Sequence, residues 1–272
     1  MGRAVAPDAF VETLFPALRQ AAAIARALEG RVANEPKRGE SRAAKAALTI
    51  ADTAAQEAIL VPLQERFPEV CIEAEEETAT AALFPASGPA RVVVDPIDGT
   101  LHSFLARRGL YAVMVGLAIA GRYEAALLAL PREDFFFAAV RGHGARCARG
   151  HETLRPVRAR RDGSLVLVSH ELPEPIRRRL AERGYPVASA SGGAIAVAPL
   201  IPGVAGGVRM AAGVSSISVR GRIGALIARE AGARVCGADG LAFPDDLETP
   251  ARALLVAAEE ADCEELLGAL AG

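Results

Sequence analysis

The run Arg91-Val92-Val93-Val94-Asp95-Pro96-Ile97-Asp98-Gly99-Thr100 constrains this chain more than any other stretch. Three consecutive β-branched residues read as a short buried strand. That strand runs into two carboxylates three residues apart, which repel one another unless a positive group stands between them. Pro96 fixes φ at the turn and removes a backbone donor, so both acids can be aimed at one point. Hard oxygen donors converging on a point suit Mg2+ or a similar cation. Gly99 and Thr100 then offer backbone N–H groups at an expected helix N-terminus, where an anion such as phosphate is favoured. Taken alone, an Asp-x-x-Asp of this kind is more ordinarily a solvated Asx turn after an edge strand.

Its surroundings change that balance. About twenty residues earlier, Val70-Cys71-Ile72 reads as another short strand, and it too ends in acids, Glu73-Ala74-Glu75-Glu76-Glu77. Neighbouring strands of one sheet bring such ends together, and ligands in α/β architectures sit beyond strand ends. Thr49-Ile50-Ala51-Asp52 opens an amphipathic segment through Phe67, and Asp52 by itself reads as a helix cap or dipole partner.

The remaining pattern is layered α+β rather than alternating βαβ units. Phe10, Leu14, Leu18, Ala21, Ile24 and Leu28 form a 3.6-residue stripe that predicts a helix ending at Gly30. Residues 31–42 are polar and read as an exposed loop whose Lys and Arg side chains can reach an anion or simply be solvated. Strands are expected over 111–120, 123–130 and 135–140, with 141–146 as a hairpin tip. In the second half they are expected over 164–169, 206–209, 234–236 and 254–258. Helices are expected over 173–182, 191–200, 222–231 and 259–269. A compositional seam at Arg161-Asp162-Gly163 divides a first half, 1–160, holding the metal and phosphate motifs from a second, 161–272, holding substrate-side residues. The two halves are expected to form one compact catalytic unit. His102 and His143 read as lone histidines without an acid or nucleophile partner.

Composition excludes several classes. Thirty-one basic residues against 33 acidic give no sequence-wide pull toward nucleic acid or anionic lipid. No apolar run is long enough to span a membrane, and the N-terminus lacks the layout of a signal peptide. Cys71, Cys147, Cys236 and Cys263 are scattered, without zinc spacing, and read as reduced, half-buried core residues of a cytoplasmic protein.

Together, Thr49-x-x-Asp52, Glu75-Glu76 and Asp95-Pro96-Ile97-Asp98-Gly99-Thr100 resemble the inositol monophosphatase family, Mg2+-dependent, lithium-sensitive phosphomonoesterases that share a fold with fructose-1,6-bisphosphatase. Glu230-Ala231-Gly232-Ala233 is a weaker match to that family's Glu-Ala-Gly-Gly. The resemblance implies a five-layered αβαβα sandwich, commonly a homodimer, acting on a small phosphorylated metabolite with Mg2+ or Mn2+. Carried over by position, Glu75, Asp95, the Ile97 carbonyl and Asp98 become metal ligands. Thr100 with Glu75 becomes the water activator, Asp52 an outer-shell group or holder of a weaker ion, and the Gly99 and Thr100 amides a phosphate cradle.

The second half departs from the family pattern. Where a metal-binding Trp-Asp is expected about ten residues before Glu230, this chain has Val219 and Arg220. The family's Gly-Ser is Gly192-Gly193 here, and its Asp-Gly is Gly206-Gly207. A cation beside a metal site costs affinity by several kcal/mol or so. Three readings follow: a phosphatase in which Arg220 clamps the phosphate in place of lost metal charge; a degenerate member that binds an anion or partner with little turnover; or a site that Ser218, Asp239 or a water completes while Arg220 swings out.

Overall fold

In the computed structural model, which describes residues 5–211 and 214–271, the outer layer is set by the first apolar stripe. Helix α1 (Pro7–Leu28) starts with Pro7, whose missing N–H is no loss there, and buries Phe10, Leu14, Leu18 and Ala21. A four-residue α2 (Ala43–Ala46) precedes α3 (Ile50–Arg66), which buries Ile59, Leu60 and Leu63 and packs along α1.

Seven strands follow in one sheet, neighbours in sequence order: β1 (Cys71–Glu73), β2 (Arg91–Asp98), β3 (Ala112–Ile119), β4 (Arg122–Leu130), β5 (Phe135–Val140), β6 (Gly144–Arg149) and β7 (Arg155–Val157). β1 runs parallel to β2, with Glu73 opposite Val93, and the later pairs are antiparallel. The second sheet holds β8 (Gly163–Ser169), β9 (Val187–Ala190), β10 (Gly203–Met210), β11 (Arg234–Cys236) and β12 (Ala253–Ala257), in the order β11-β12-β10-β8-β9.

Helices α1 and α3 cover one face of the first sheet, and α5 (Gly192–Ala196) with α6 (Ile223–Glu230) fill the space between the sheets. Preceding α5 in sequence, α4 (Glu174–Glu182) joins the C-terminal α7 (Glu260–Ala271) on the far face of the second sheet. The layers are α, β, α, β, α, the expected α+β sandwich. Each interface has its own apolar core: Phe10, Ile59, Val92 and Val94 on the outer side of the first sheet, Val93, Met114 and Ile223 between the sheets, Val168, Leu255 and Leu266 beneath α7. Burying each such side chain contributes about 1.5–3 kcal/mol. No helix among the described residues is long and apolar enough to cross a membrane. The expected absence of a signal peptide rests partly on residues 1–4, outside the described ones.

Several local expectations are corrected. Residues 100–105 form a single π-helical turn after Gly99, whose φ of 93° is left-handed, rather than the start of a regular helix. The expected helix over 191–200 is α5 followed by a 3-10 turn, because Pro199 cannot continue the hydrogen-bond ladder. The hairpin tip is shorter than 141–146, since β6 begins at Gly144. β7 and β9, only three and four residues long, gave no periodic signal. His143 is not partnerless: its Nδ1 lies 3.2 Å from Asp8 Oδ2. Cys236 and Cys263 are fully buried rather than half-buried, while Cys71 and Cys147 are partly exposed.

Candidate active site

The parallel pairing of β1 and β2 carries the two acidic strand ends to one place. Asp95 is buried at the position where β2 departs from regular pairing with β3, between Asp95 and Asp98. Arg220, in a 3-10 turn just before α6, brings its Nε to 4.0 Å from Asp95 Oδ2 and 4.0 Å from Glu75 Oε2. Burial works against the guanidinium's charge, but Glu75 and Asp95 more than offset it and hold its pKa above the ordinary value. Burial also pushes Asp95 well above the usual carboxylate range, reinforced by Glu75 and Asp98 and opposed by Arg220. Its Oδ1 is buried without a hydrogen-bond partner among the described residues.

Glu75 is held from the other side. Lys37, in the polar loop before α2, reaches 2.7 Å from Glu76 Oε1 and 3.7 Å from Glu75 Oε1. Gln56 fixes the acidic segment by donating to the Glu76 carbonyl at 2.7 Å and accepting from its N–H at 2.9 Å. Glu76 titrates above its ordinary value because it is buried, with Lys37 opposing. Lys37 thus belongs to the site, where the sequence left it as a loop cation that could reach an anion or be solvated.

Asp52 serves two purposes. It closes a capping box at the start of α3, its Oδ2 accepting from Thr49 N at 2.8 Å and Thr49 Oγ1 at 2.7 Å. Its Oδ1 lies 3.0 Å from Thr100 Oγ1, which is also 2.8 Å from the Ile97 carbonyl. Burial raises the Asp52 pKa, and the hydrogen bonds from Thr49 and Thr100 oppose that rise.

Asp98 points toward the second half of the chain, where its Oδ2 accepts from Gly193 N at 2.5 Å. A Cβ on Gly193 would fall 2.6 Å from Met114 Sδ and 3.2 Å from that carboxylate oxygen, so only glycine lets α5 approach so closely. Gly206 and Gly207 have no such part: a Cβ there would meet backbone oxygens of Val256 and Ile195, a packing constraint on β10. Asp239 lies in the turn after β11 with its Oδ1 on Leu241 N, and Arg220 lies against the carboxylates rather than swung out. The arrangement seen is thus not the one in which Arg220 swings out while Ser218, Asp239 or a water completes the site.

Beyond Asp98 and Gly99 opens a cavity of about 250 Å3 lined by His102, His170, Ser191, Arg209, Met210 and Ile217 among others. His102 stacks on His170 at 4.9 Å, and His170 Nε2 lies 3.0 Å from Ser103 Oγ. Burial, with the neighbouring His102, lowers the His170 pKa to about 4, so its ring is neutral at physiological pH.

Among the described residues no three His, Cys, Asp or Glu side chains stand close enough to hold a metal ion together. The donor chemistry nonetheless fits a hard cation: carboxylate and carbonyl oxygens only, with Glu75, Asp95 and Asp98 facing Arg220 and, at Glu75, Lys37, and an Asp95 Oδ1 without a partner among the described residues. It fits one ion better than two, since Arg220 already spans Glu75 and Asp95.

The sequence profile of the inositol monophosphatase family matches residues 8–271. Human inositol monophosphatase 2 is 31% identical over 137 residues, 50% of this chain and 47% of that protein. The Nus factor SuhB of Escherichia coli K12 is 33% identical over 98 residues, 36% of this chain and 35% of that protein. These alignments span half or less of the relatives' length. Among solved structures, an IMPase of Thermotoga maritima superposes with a TM-score of 0.72 at 18% identity, covering 96% of both chains. The suhB protein of Bartonella henselae gives 0.70 at 20% identity, covering 96% of this chain and 98% of that one. At these identities the structural likeness speaks for the fold.

Proposed function

The chain belongs to the inositol monophosphatase family, and from that premise we propose that it hydrolyses a small phosphomonoester with the help of a bound divalent cation, Mg2+ or Mn2+. The observation that carries this reading is that Glu75 and Asp95 share Arg220 while Asp98, at the end of the same strand as Asp95, lines the cavity and Thr100 is hydrogen-bonded to Asp52.

Glu75, Asp95, the Ile97 carbonyl and Asp98 would hold the cation, which when bound neutralises phosphate oxygens and acidifies a water. The protein's own groups do the rest. Thr100, fixed by Asp52, orients the attacking water, and Glu75 takes its proton. The Gly99 and Thr100 amides cradle the phosphate. Arg220 supplies positive charge without metal affinity, and its planar fork can carry N–H donors to the phosphate as well as to the carboxylates. The reading includes a cytoplasmic homodimer, checked by light scattering for a mass twice 28.2 kDa.

A second reading, a family member with little turnover that binds an anion or partner, is favoured by one observation: Arg220 occupies the space between Glu75 and Asp95. One assay separates the two. Phosphate release is measured with and without Mg2+ on inositol 1-phosphate, fructose 1,6-bisphosphate, histidinol phosphate and 3′-phosphoadenosine phosphate, for the natural protein and Arg220→Asp. Mg2+-dependent release by the natural protein is the expected result. A silent natural protein beside an active Arg220→Asp would overturn the proposal and leave the second reading.

A further inference from the structure

Arg209, near the end of β10, is held in a way that the reaction just described does not use. Its guanidinium lies in a slot between two glycines from separate elements. A Cβ on Gly192 would fall 1.8 Å from Arg209 Nη1, and one on Gly221 would fall 2.4 Å from the same atom. Its one hydrogen bond among the described residues is long, Nη1 to the Gly221 carbonyl at 3.4 Å, and none of their carboxylates comes within 4.0 Å. The buried Arg222 and the half-buried Arg177 are satisfied differently. Arg222 donates to the Ile217 and Thr249 carbonyls, and Arg177 to those of Ser169 and Leu172. A guanidinium with so few protein partners leaves most of its five N–H donors to solvent or to a ligand in the cavity.

Two further observations concern the same cavity. Ser191, only 4% exposed, lines it with a hydroxyl that has no hydrogen-bond partner among the described residues. Its apolar wall is formed by Met210, Ala211, Val214 and Ile217. Its two acids are already engaged, Asp98 with the Gly193 amide and Glu171 with Arg42 at 3.9 Å. The hydroxyls of a polyol donate as well as accept, and with its acids engaged this cavity offers instead the cations Arg42, Lys45 and Arg209, the Ser169 and Ser191 hydroxyls, unsatisfied among the described residues, and carbon.

Building on the phosphatase reading, we propose that the alcohol half of the substrate carries a second anionic group, a carboxylate or a second phosphate. That group pairs with Arg209 and accepts from the Ser191 hydroxyl, while the carbon skeleton lies on Met210 and Ile217. Arg209 is thereby a specificity residue, and Gly192 and Gly221 are the positions that admit its guanidinium.

Matched pairs of esters test this. Calorimetric binding in Mg2+ is compared for 2-phosphoglycerate against glycerol 2-phosphate, which differ by one carboxylate. Fructose 1,6-bisphosphate is compared with fructose 1-phosphate, which differ by one phosphate. In at least one pair the anion-bearing member should bind tighter by a factor on the order of ten, and the pair that responds names the anion. That ratio should fall to about one in Arg209→Gln. It should fall likewise in Gly192→Ala, which keeps the charge but fills the slot and so separates placement from mere presence of a cation. No preference in either pair, or a preference that survives both substitutions, overturns the inference. Phosphate release recorded on the same samples keeps the two claims apart: anion preference without turnover sinks only the phosphatase reading, and turnover without preference sinks only this one.

Discussion

Replacing Arg220 with aspartate is the perturbation that the geometry makes most informative. Arg220 Nε stands 4.0 Å from both Glu75 and Asp95. At that distance and an effective dielectric of about 20, each contact is worth roughly 4 kcal/mol of gross attraction. The side chains are 29% exposed for Arg220, 19% for Glu75 and 8% for Asp95, so desolvation and screening cancel much of it. Breaking a largely buried pair of this kind costs about 3–5 kcal/mol, chiefly because the surviving charges lose their partner. In a chain of this size each kcal/mol moves Tm by about 2–4 °C, so metal-free Arg220→Asp should melt roughly 10 °C below the natural protein. The added carboxylate also gives a cation a better seat. Mg2+ at a hundredfold excess over its dissociation constant would return about 2.7 kcal/mol to the variant. The natural protein, whose carboxylates already share a guanidinium, should gain less at the same concentration. Arg220→Met serves as the control: it should lose stability without gaining the variant's Mg2+ response. Thermal denaturation over a Mg2+ series reads all three. If metal-free Arg220→Asp melts with the natural protein and Mg2+ moves neither, Arg220 is not the counter-charge argued for above.

Two other outcomes follow from the same geometry. Gly193→Ala places a Cβ 2.9 Å from Ala112 Cβ and 2.6 Å from Met114 Sδ, which should cost about 1–3 kcal/mol and displace Asp98. Phosphate release should then fall roughly tenfold to hundredfold, and unchanged Tm and rate would mean that the close approach of α5 is not needed. His170, whose pKa is lowered to about 4 by burial, is held neutral by the fold. Its contribution to stability is therefore complete above the ordinary histidine value of 6.5 and is lost as pH falls from there toward about 4. An imidazole NMR titration should show its resonance moving near pH 4, and movement near 6.5 would contradict the environment described.

How much of this was legible beforehand varies by residue. Val92 to Val94 declared a buried strand, and the acids at the ends of β1 and β2 declared a shared site, because parallel neighbours align their ends. Asp52 was legible as a cap, and its position matched the family's, yet its bond to Thr100 joins residues 48 apart and no local pattern carries that. Lys37 and Gln56 were hidden for the same reason: a polar loop and a helix interior look alike whether or not a distant acid lies opposite. The π-helical turn after Gly99 and the short strands β7 and β9 are fixed by their neighbours, being too brief to carry a period of their own.

The sequence by itself determined the layered α+β plan, the family, and the set of acids at Glu75, Asp95 and Asp98, since these reside in composition, periodicity and a contiguous motif. It also showed that Arg220 stands where a carboxylate is expected. Only the tertiary structure decided what Arg220 and Arg209 do with their charge. Arg220 is brought onto Glu75 and Asp95 by the turn before α6, and Arg209 is left in a glycine slot facing the cavity. A charge acts over a few ångströms of space, and distances between residues over a hundred positions apart are set by packing the layers.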